Sequence, residues 1–308
     1  MFDIIGKRTW FFAFSLLLIL ASVIVLIVPG LKPGIDFSSG SITTLNFEGE
    51  VTVGEVEEEL VHLGFSGHVE EDKSSGNIII HTVELTAAEK TRMEEGLIAA
   101  FGSFKEEGFD NVTQIIAKET ARIAGIAVGV AAIGILIYIT WAFRRMPRPF
   151  RYGTCAVIAL VHDTLVVLGV FAILGSFMHW EVNLMFITGI LAVVGYSVND
   201  TVVVYDRIRE NLRQGLSANF EVVVNTSLVE TLGRSLNTAL TTLVVVIALV
   251  LFVGTSIQNF AVALLIGIIT GTYSSIFIAS ALLVVWEQGR WSGLIRRPSL
   301  TAGGARRG

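Results

Sequence analysis

Six stretches of apolar residues divide the chain, at positions 10–28, 121–143, 152–174, 184–206, 236–254 and 260–286. A bilayer core of roughly 30 Å is crossed by about 20 residues of helix, so each stretch is long enough to span a membrane. None has an interior proline, and unkinked helices are expected because an interior proline would remove a hydrogen bond and clash with the preceding turn. The first stretch follows Lys7 and Arg8, as the apolar part of a signal peptide would. Its length of about 19 residues exceeds the roughly 7–15 of such a region, and no small-x-small cleavage site follows it, so an uncleaved helix is expected.

Between the first and second stretches the period changes. Residues 41–47 read as a strand, and 53–64 place Val53, Val56, Leu60 and Leu63 at helical spacing among glutamates. A second strand is expected at 67–73, a turn at Ser74–Asn77, and a third strand at 77–85. Thr86 followed by Glu89 is a capping-box pattern that opens a helix over 86–101, and a fourth strand is expected at 110–119. The order β-α-β-β-α-β is that of a ferredoxin-like unit. The expected fold is therefore membrane α-helical: six transmembrane helices with one extracytoplasmic ferredoxin-like α+β domain between helices 1 and 2.

Composition agrees with a membrane protein. The 308 residues are 53% apolar and 16% charged, against about 25% charged in an average soluble domain. Residues 31–122 hold 18 acidic and 7 basic side chains, while the remainder of the chain is net basic. The basic residues cluster at alternate connections: Lys7 and Arg8; Arg144, Arg145, Arg148 and Arg151; Arg207, Arg209 and Arg213; Arg290, Arg296 and Arg297. The positive-inside rule then places both termini in the cytoplasm and residues 31–120 outside. The expected organisation is 1–30, cytoplasmic N-terminus and first helix; 31–120, the extracytoplasmic domain; 121–289, helices 2–6; and 290–308, a basic cytoplasmic tail.

Cys155 is the single cysteine, which excludes an intrachain disulfide. His62, His68 and His81 share no ligand spacing, and there is no zinc-type Cys/His pattern or Gly-rich phosphate loop. No metal, cofactor or nucleic-acid partner is expected.

Ionisable residues inside membrane helices cost a few kcal/mol each and tend to face the bundle interior. Here they are few. His162 and Asp163 fall in the third stretch, Asn199 and Asp200 in the fourth, and Arg234 begins the fifth, followed by Asn237, Thr238 and Thr241. At a rise of roughly 1.5 Å per residue, Asp200 lies in the cytoplasmic third of its helix, at a depth where it is expected to meet Arg234. A carboxylate held between desolvation and a nearby cation can gain and lose a proton as the cation approaches and withdraws, which is what a proton relay coupled to helix movement requires. The alternative is static hydrogen-bonded glue. Asp206, Arg207 and Arg209 are expected to anchor the interface at the start of an amphipathic segment over 207–235. The patterns Gly125–Gly129 and Gly267–Gly271 are small-xxx-small spacings suited to close helix contact. Two intramembrane aspartates also suggest an aspartyl protease, but Ser197-Val198-Asn199-Asp200 lacks the Gly-x-Gly-Asp of that class, and no enzymatic activity is expected.

Longer motifs carry a resemblance. "GYSVNDTVVVYDRIREN" (195–211), "HD" (162–163), "NTSLVETLGRSLNTALTTL" (225–243) and "GIDFSSG" (34–40) are similar to segments of the SecF family of the bacterial protein-export machinery. Tyr205 stands where Phe is more usual, and Ser38 and Ser39 stand where that family has Thr and Gly. The resemblance runs from the first helix to about residue 290. It implies a subunit of the resistance-nodulation-division superfamily in the inner membrane, paired with SecD and working with the SecYEG channel and the SecA motor on unfolded exported chains. It also implies use of the proton gradient in late translocation, with Asp200 and Arg234 linked to proton conduction. A passive scaffold holding SecD and the channel is the second reading. A superfamily efflux pump is disfavoured because such pumps carry much larger outside domains.

Overall fold

The computed structural model describes residues 3–72, 75–178, 180–252 and 254–289. The basic tail expected at 290–308 lies outside the described residues. Among the described residues, six helices are long and apolar enough to cross a membrane. Span one is Arg8–Ile27, span two Gln114–Ala142, span three Pro149–Met178, span four Leu184–Arg213 and span five Phe220–Phe252. Span six runs as an α-helix over Thr255–Ser274, widens to a π-helix over Ser275–Ala279, and resumes as an α-helix over Ser280–Gln288.

The spans divide into a core and a periphery. Half of the residues in the apolar window of span three are buried, 44% in span four and 56% in span six, against 11%, 6% and 17% in spans one, two and five. Spans four and six approach closely because glycine lines their contact. A Cβ at Gly267 would lie 2.0 Å from Val193 Cγ2, and one at Gly271 would lie 3.0 Å from Ser197 Cβ. The close contact expected from the Gly267–Gly271 spacing is therefore present. At Gly125 and Gly129 nothing among the described residues lies within 4 Å of such a Cβ, so that face makes no close helix contact within them. Spacing alone does not say which way a small-residue face points.

The amphipathic segment expected over 207–235 is not a separate element. Span four continues to Arg213 and span five begins at Phe220, so the polar residues belong to helix extensions that pair across a short connection. Asn211 donates to Ser227 Oγ (2.9 Å) and to Glu230 (2.8 Å) between the two extensions.

The region between spans one and two contains a four-stranded antiparallel sheet: β1 (Gly40–Phe47), β2 (Gly67–Asp72), β3 (Asn77–Thr82) and β4 (Phe104–Val112), in the order β2-β3-β1-β4. Helices Val53–His62 and Ala87–Phe101 complete the β-α-β-β-α-β unit. Leu45, Val69, Ile78 and Ile80 from the strands pack with Val56, Leu60, Met93 and Leu97 from the helices. Both helices open with full capping boxes, Thr52 with Glu55 and Thr86 with Glu89, which hold the two glutamates below the usual carboxylate range.

The fourth strand lies earlier than expected. Residues 104–112 are an edge strand with charged residues exposed on both sides, so the alternation that marks a half-buried strand is absent. Thr113 then caps span two by accepting from Ile116 N, and residues 114–119, expected as strand, are its first turns.

The sheet domain is tied to the loop between spans three and four. Val182 N donates to Lys32 O (2.7 Å) and Gly34 N to Val182 O (2.8 Å), a parallel bridge of Pro33 with Val182. Leu184 N donates to Asp36 Oδ2 (2.8 Å) and Asn259 Nδ2 to Glu181 O (2.8 Å).

Candidate functional site

The polar residues of spans three to six form two clusters. The first centres on Asp200. Its carboxylate is 8% exposed and accepts from Ser235 Oγ at 2.5 Å through Oδ1, while Oδ2 is buried with no partner among the described residues. The expected meeting with span five thus occurs, but through Ser235. Arg234, one residue earlier, is exposed and forms no ion pair with Asp200. A single residue step turns an α-helix by about 100°, which carries the guanidinium off the contact line. Asn199 is likewise exposed beside Asp200.

Asn237, Thr238 and Thr241 share that exposed side of span five with Arg234. Thr238 donates to Arg234 O (2.9 Å) and Thr241 to Asn237 O (2.9 Å). None is held by Asp200. The stripe is polar, lies within a membrane-length helix, and is uncovered within this chain.

The second cluster centres on Asp163, which is 1% exposed. Its Oδ2 accepts from Ser197 Oγ of span four and from Ser274 Oγ of span six, each at 2.8 Å. Its Oδ1 lies 3.1 Å from His162 Nδ1. Ser275 donates to Ser197 O (3.1 Å) and shares a hydrogen with Thr201 Oγ1 (2.8 Å). Ser274 and Ser275 belong to a hydroxyl-rich run over 270–275 that marks span six in the sequence as an interior-facing helix. Ser197, Thr201 and Ser235 carry no comparable mark and were not among the candidates.

The residues expected to anchor the interface form ion pairs and hydrogen bonds. Arg207 Nε donates to Glu230 (2.7 Å) and Nη1 to Glu210 (2.6 Å), and Arg209 pairs with Asp206 one turn earlier. Arg207 thus bridges the extensions of spans four and five. Ion pairs of Arg8 with Glu221 and of Arg151 with Glu287 join further segments.

A third titratable group sits at the joint with the sheet domain. Burial, reinforced by repulsion from Glu70, pushes the Glu181 carboxyl up to about 7. Its Oε1 is 3.9 Å from His81 Nδ1, and burial pushes the His81 imidazole down.

Comparison with known proteins gives these arrangements a context. Residues 93–289 match the family described as protein export membrane protein SecD/SecF, C-terminal. The chain is 41% identical over 309 aligned positions to protein translocase subunit SecF of Thermobaculum terrenum, with 96% of this chain and 98% of the relative covered. It is 34% identical to protein translocase subunit SecDF of Bacillus subtilis, covering 92% of this chain and 38% of that longer protein. The fold matches the crystal structure of SecDF, a translocon-associated membrane protein from Thermus thermophilus, with a TM-score of 0.81 and 32% identity, covering 93% of this chain and 39% of that one.

Proposed function

The chain belongs to the SecD/SecF family of protein-export membrane proteins, and from that premise we propose that it is a proton-driven accessory subunit of the export translocase, acting with a SecD half to promote late translocation and release of exported chains. It is a multi-pass membrane protein, and its family is one of translocase subunits. In this reading the chain sits in the inner membrane with both termini in the cytoplasm and the sheet domain outside, a placement supported by the basic connections at Arg144–Arg151 and Arg207–Arg213.

The observation that carries the relay is the state of Asp200. One carboxylate oxygen is hydrogen-bonded to Ser235 and the other is buried with no partner among the described residues. A buried carboxylate oxygen that lacks a donor leaves a place for a proton or a cationic partner to satisfy it. Arg234, exposed at the same level of the bundle, is the nearest candidate cation along span five. A modest rotation of span five would bring it toward Asp200 Oδ2 and displace the proton. The stripe Arg234, Asn237, Thr238 and Thr241 is then the face that a SecD half covers, since an arginine facing lipid costs a few kcal/mol. SecDF relatives carry such a second half in one chain, and this chain spans about 39% of their length. The SecYEG channel, the SecA motor and unfolded exported chains complete the proposed partners.

The test is Asp200→Asn in vesicles reconstituted with SecD. Loss of proton flux together with loss of late-stage export is expected. Unchanged flux and export would overturn the relay and leave a passive scaffold as the function.

A further inference from the structure

Asp163 is a fully buried carboxylate outside the Asp200 cluster, and the relay as described gives it no task. Its contacts bear on Asp200 all the same. Ser197 lies one helical turn before Asp200 on span four, and Thr201 immediately follows it. Both are tied to span six. Asp163 Oδ2 collects Ser197 and Ser274 at 2.8 Å each. Ser275 reaches Ser197 O at 3.1 Å and Thr201 Oγ1 at 2.8 Å. Asp200 is therefore bracketed on its own helix by two groups held from spans three and six.

The backbone of span six is adapted to this. Its π-helix begins at Ser275, and Ser280 Oγ donates back five residues to Ser275 O at 3.2 Å. A π segment is a local widening found often at functional sites. Here it starts where two consecutive serines turn to different neighbours, Ser274 to Asp163 on span three and Ser275 to Ser197 and Thr201 on span four. Gly271, one turn earlier, lets Ser197 come this near. His162 Nδ1, 3.1 Å from Asp163 Oδ1, gives the other oxygen of this carboxylate, which is 1% exposed, a polar neighbour.

We propose that Asp163 is a positioning residue for Asp200: through Ser197 and Ser274 it sets the rotation and register of span four against span six, and so keeps Asp200 in reach of Ser235. This rests on the relay reading for its consequence in proton flux, but its geometric content stands apart from it. Asp163 itself carries no transported proton in this scheme.

The experiment uses the full chain reconstituted with SecD, with Cys155 replaced by alanine and spin labels at Gly195→Cys on span four and Ile269→Cys on span six. Gly195 has nothing within 4 Å of its Cβ and Ile269 is exposed, so both accept labels. Asp163→Asn and Ser274→Ala are expected to broaden the inter-label distance distribution and to lower proton flux about ten- to hundredfold, the scale of an ångström-level misplacement of a reacting group. Ser274→Thr, which restores the hydroxyl, is expected to recover both. Ser274→Ala removes one hydroxyl and serves as the test if Asp163→Asn does not fold. An unchanged distance distribution in the folded variants overturns the proposal, whatever the flux, and so does a broadened distribution with wild-type flux. Asp200→Asn separates the two ideas: it is expected to abolish flux while leaving the distances narrow. If it leaves flux intact, the relay fails and the distance measurement alone decides the role of Asp163.

Discussion

Replacing Gly267 with alanine adds one methyl group to the face of span six that lies on span four. That carbon would sit 2.0 Å from Val193 Cγ2, 2.5 Å from Cγ1 and 2.8 Å from Cβ. Carbons in contact rest about 3.5–4.0 Å apart, so the helices would have to part by roughly 1.5 Å at this level. Val193 offers little relief. It is 1% exposed and β-branched, with one strongly preferred rotamer in a helix. Overpacking of this kind costs about 1–3 kcal/mol, and the upper end is expected because backbone, not a flexible tip, must yield. Gly271→Ala meets Ser197 Cβ at 3.0 Å, a deficit of tenths of an ångström, and should cost about 1 kcal/mol or less. Gly125→Ala and Gly129→Ala meet nothing within 4 Å and exchange a helix-interior glycine for alanine, which is neutral or stabilising by about 0.5–1 kcal/mol. Thermal unfolding of the purified protein in detergent should therefore rank Gly125→Ala at or above wild type, then Gly271→Ala, then Gly267→Ala. A Gly267→Ala protein as stable as Gly125→Ala would refute the close approach of spans four and six.

Thr86→Ala and Thr52→Ala each remove a capping box and should destabilise the sheet domain by about 1 kcal/mol, read as faster amide exchange in the helix that follows each cap. Glu181 binds its proton more tightly in the folded protein than an ordinary carboxyl does, so its contribution to stability falls as pH rises from about 4.5 to about 7. Glu181→Gln should be close to wild type at pH 5 and more stable at pH 8. The full shift corresponds to about 3 kcal/mol, reduced to about 1 kcal/mol because the side chain is 36% exposed; exchange at Gly34 and Val182 reports it. His81, pushed down by burial, acts in the opposite sense below about 6.5, so a His81→Gln background should steepen the Glu181 dependence in that range. Arg207→Ala removes the ion pair of Glu230 with span four but leaves the bond from Asn211, so only a small drop in the same thermal unfolding midpoint is expected, and Asn211→Ala in that background should lower it further.

What was readable in the sequence follows from which physical signal each element carries. A membrane helix announces itself by composition alone, so all six spans were legible, although their polar extensions to Arg213 and from Phe220 were not. The two capping boxes and the buried strands β1 and β3 were legible because cap chemistry and alternation are local. Strand β4 is held by pairing with β1 and buries little on either face, so its evidence lies in a partner distant in sequence. The same limit applies to the two glycine motifs. Gly125–Gly129 and Gly267–Gly271 have one spacing, and only the helix packed against them tells them apart.

For the site, the sequence carries depth but not azimuth. Counting residues puts Asp200 level with residue 234, and the contact falls one residue away, at Ser235, near the middle of span five rather than at its start. Whether Arg234 or Ser235 makes the contact turns on a rotation of about 100°, which no local pattern encodes. Ser197 and Ser235 escape for a related reason. A hydroxyl in a membrane helix can satisfy itself on its own backbone, as Thr238 and Thr241 do, so its presence does not mark a site. Ser197 and Ser274 differ from them only in facing Asp163 across a helix contact. A carboxylate has no such local escape. It must find donors from other helices or remain short of them, and the two aspartates divide on that point. Asp163 is satisfied at both oxygens, while Asp200 is satisfied at one. That asymmetry, rather than the mere presence of acid in the membrane, is the reason to assign change to Asp200 and constancy to Asp163.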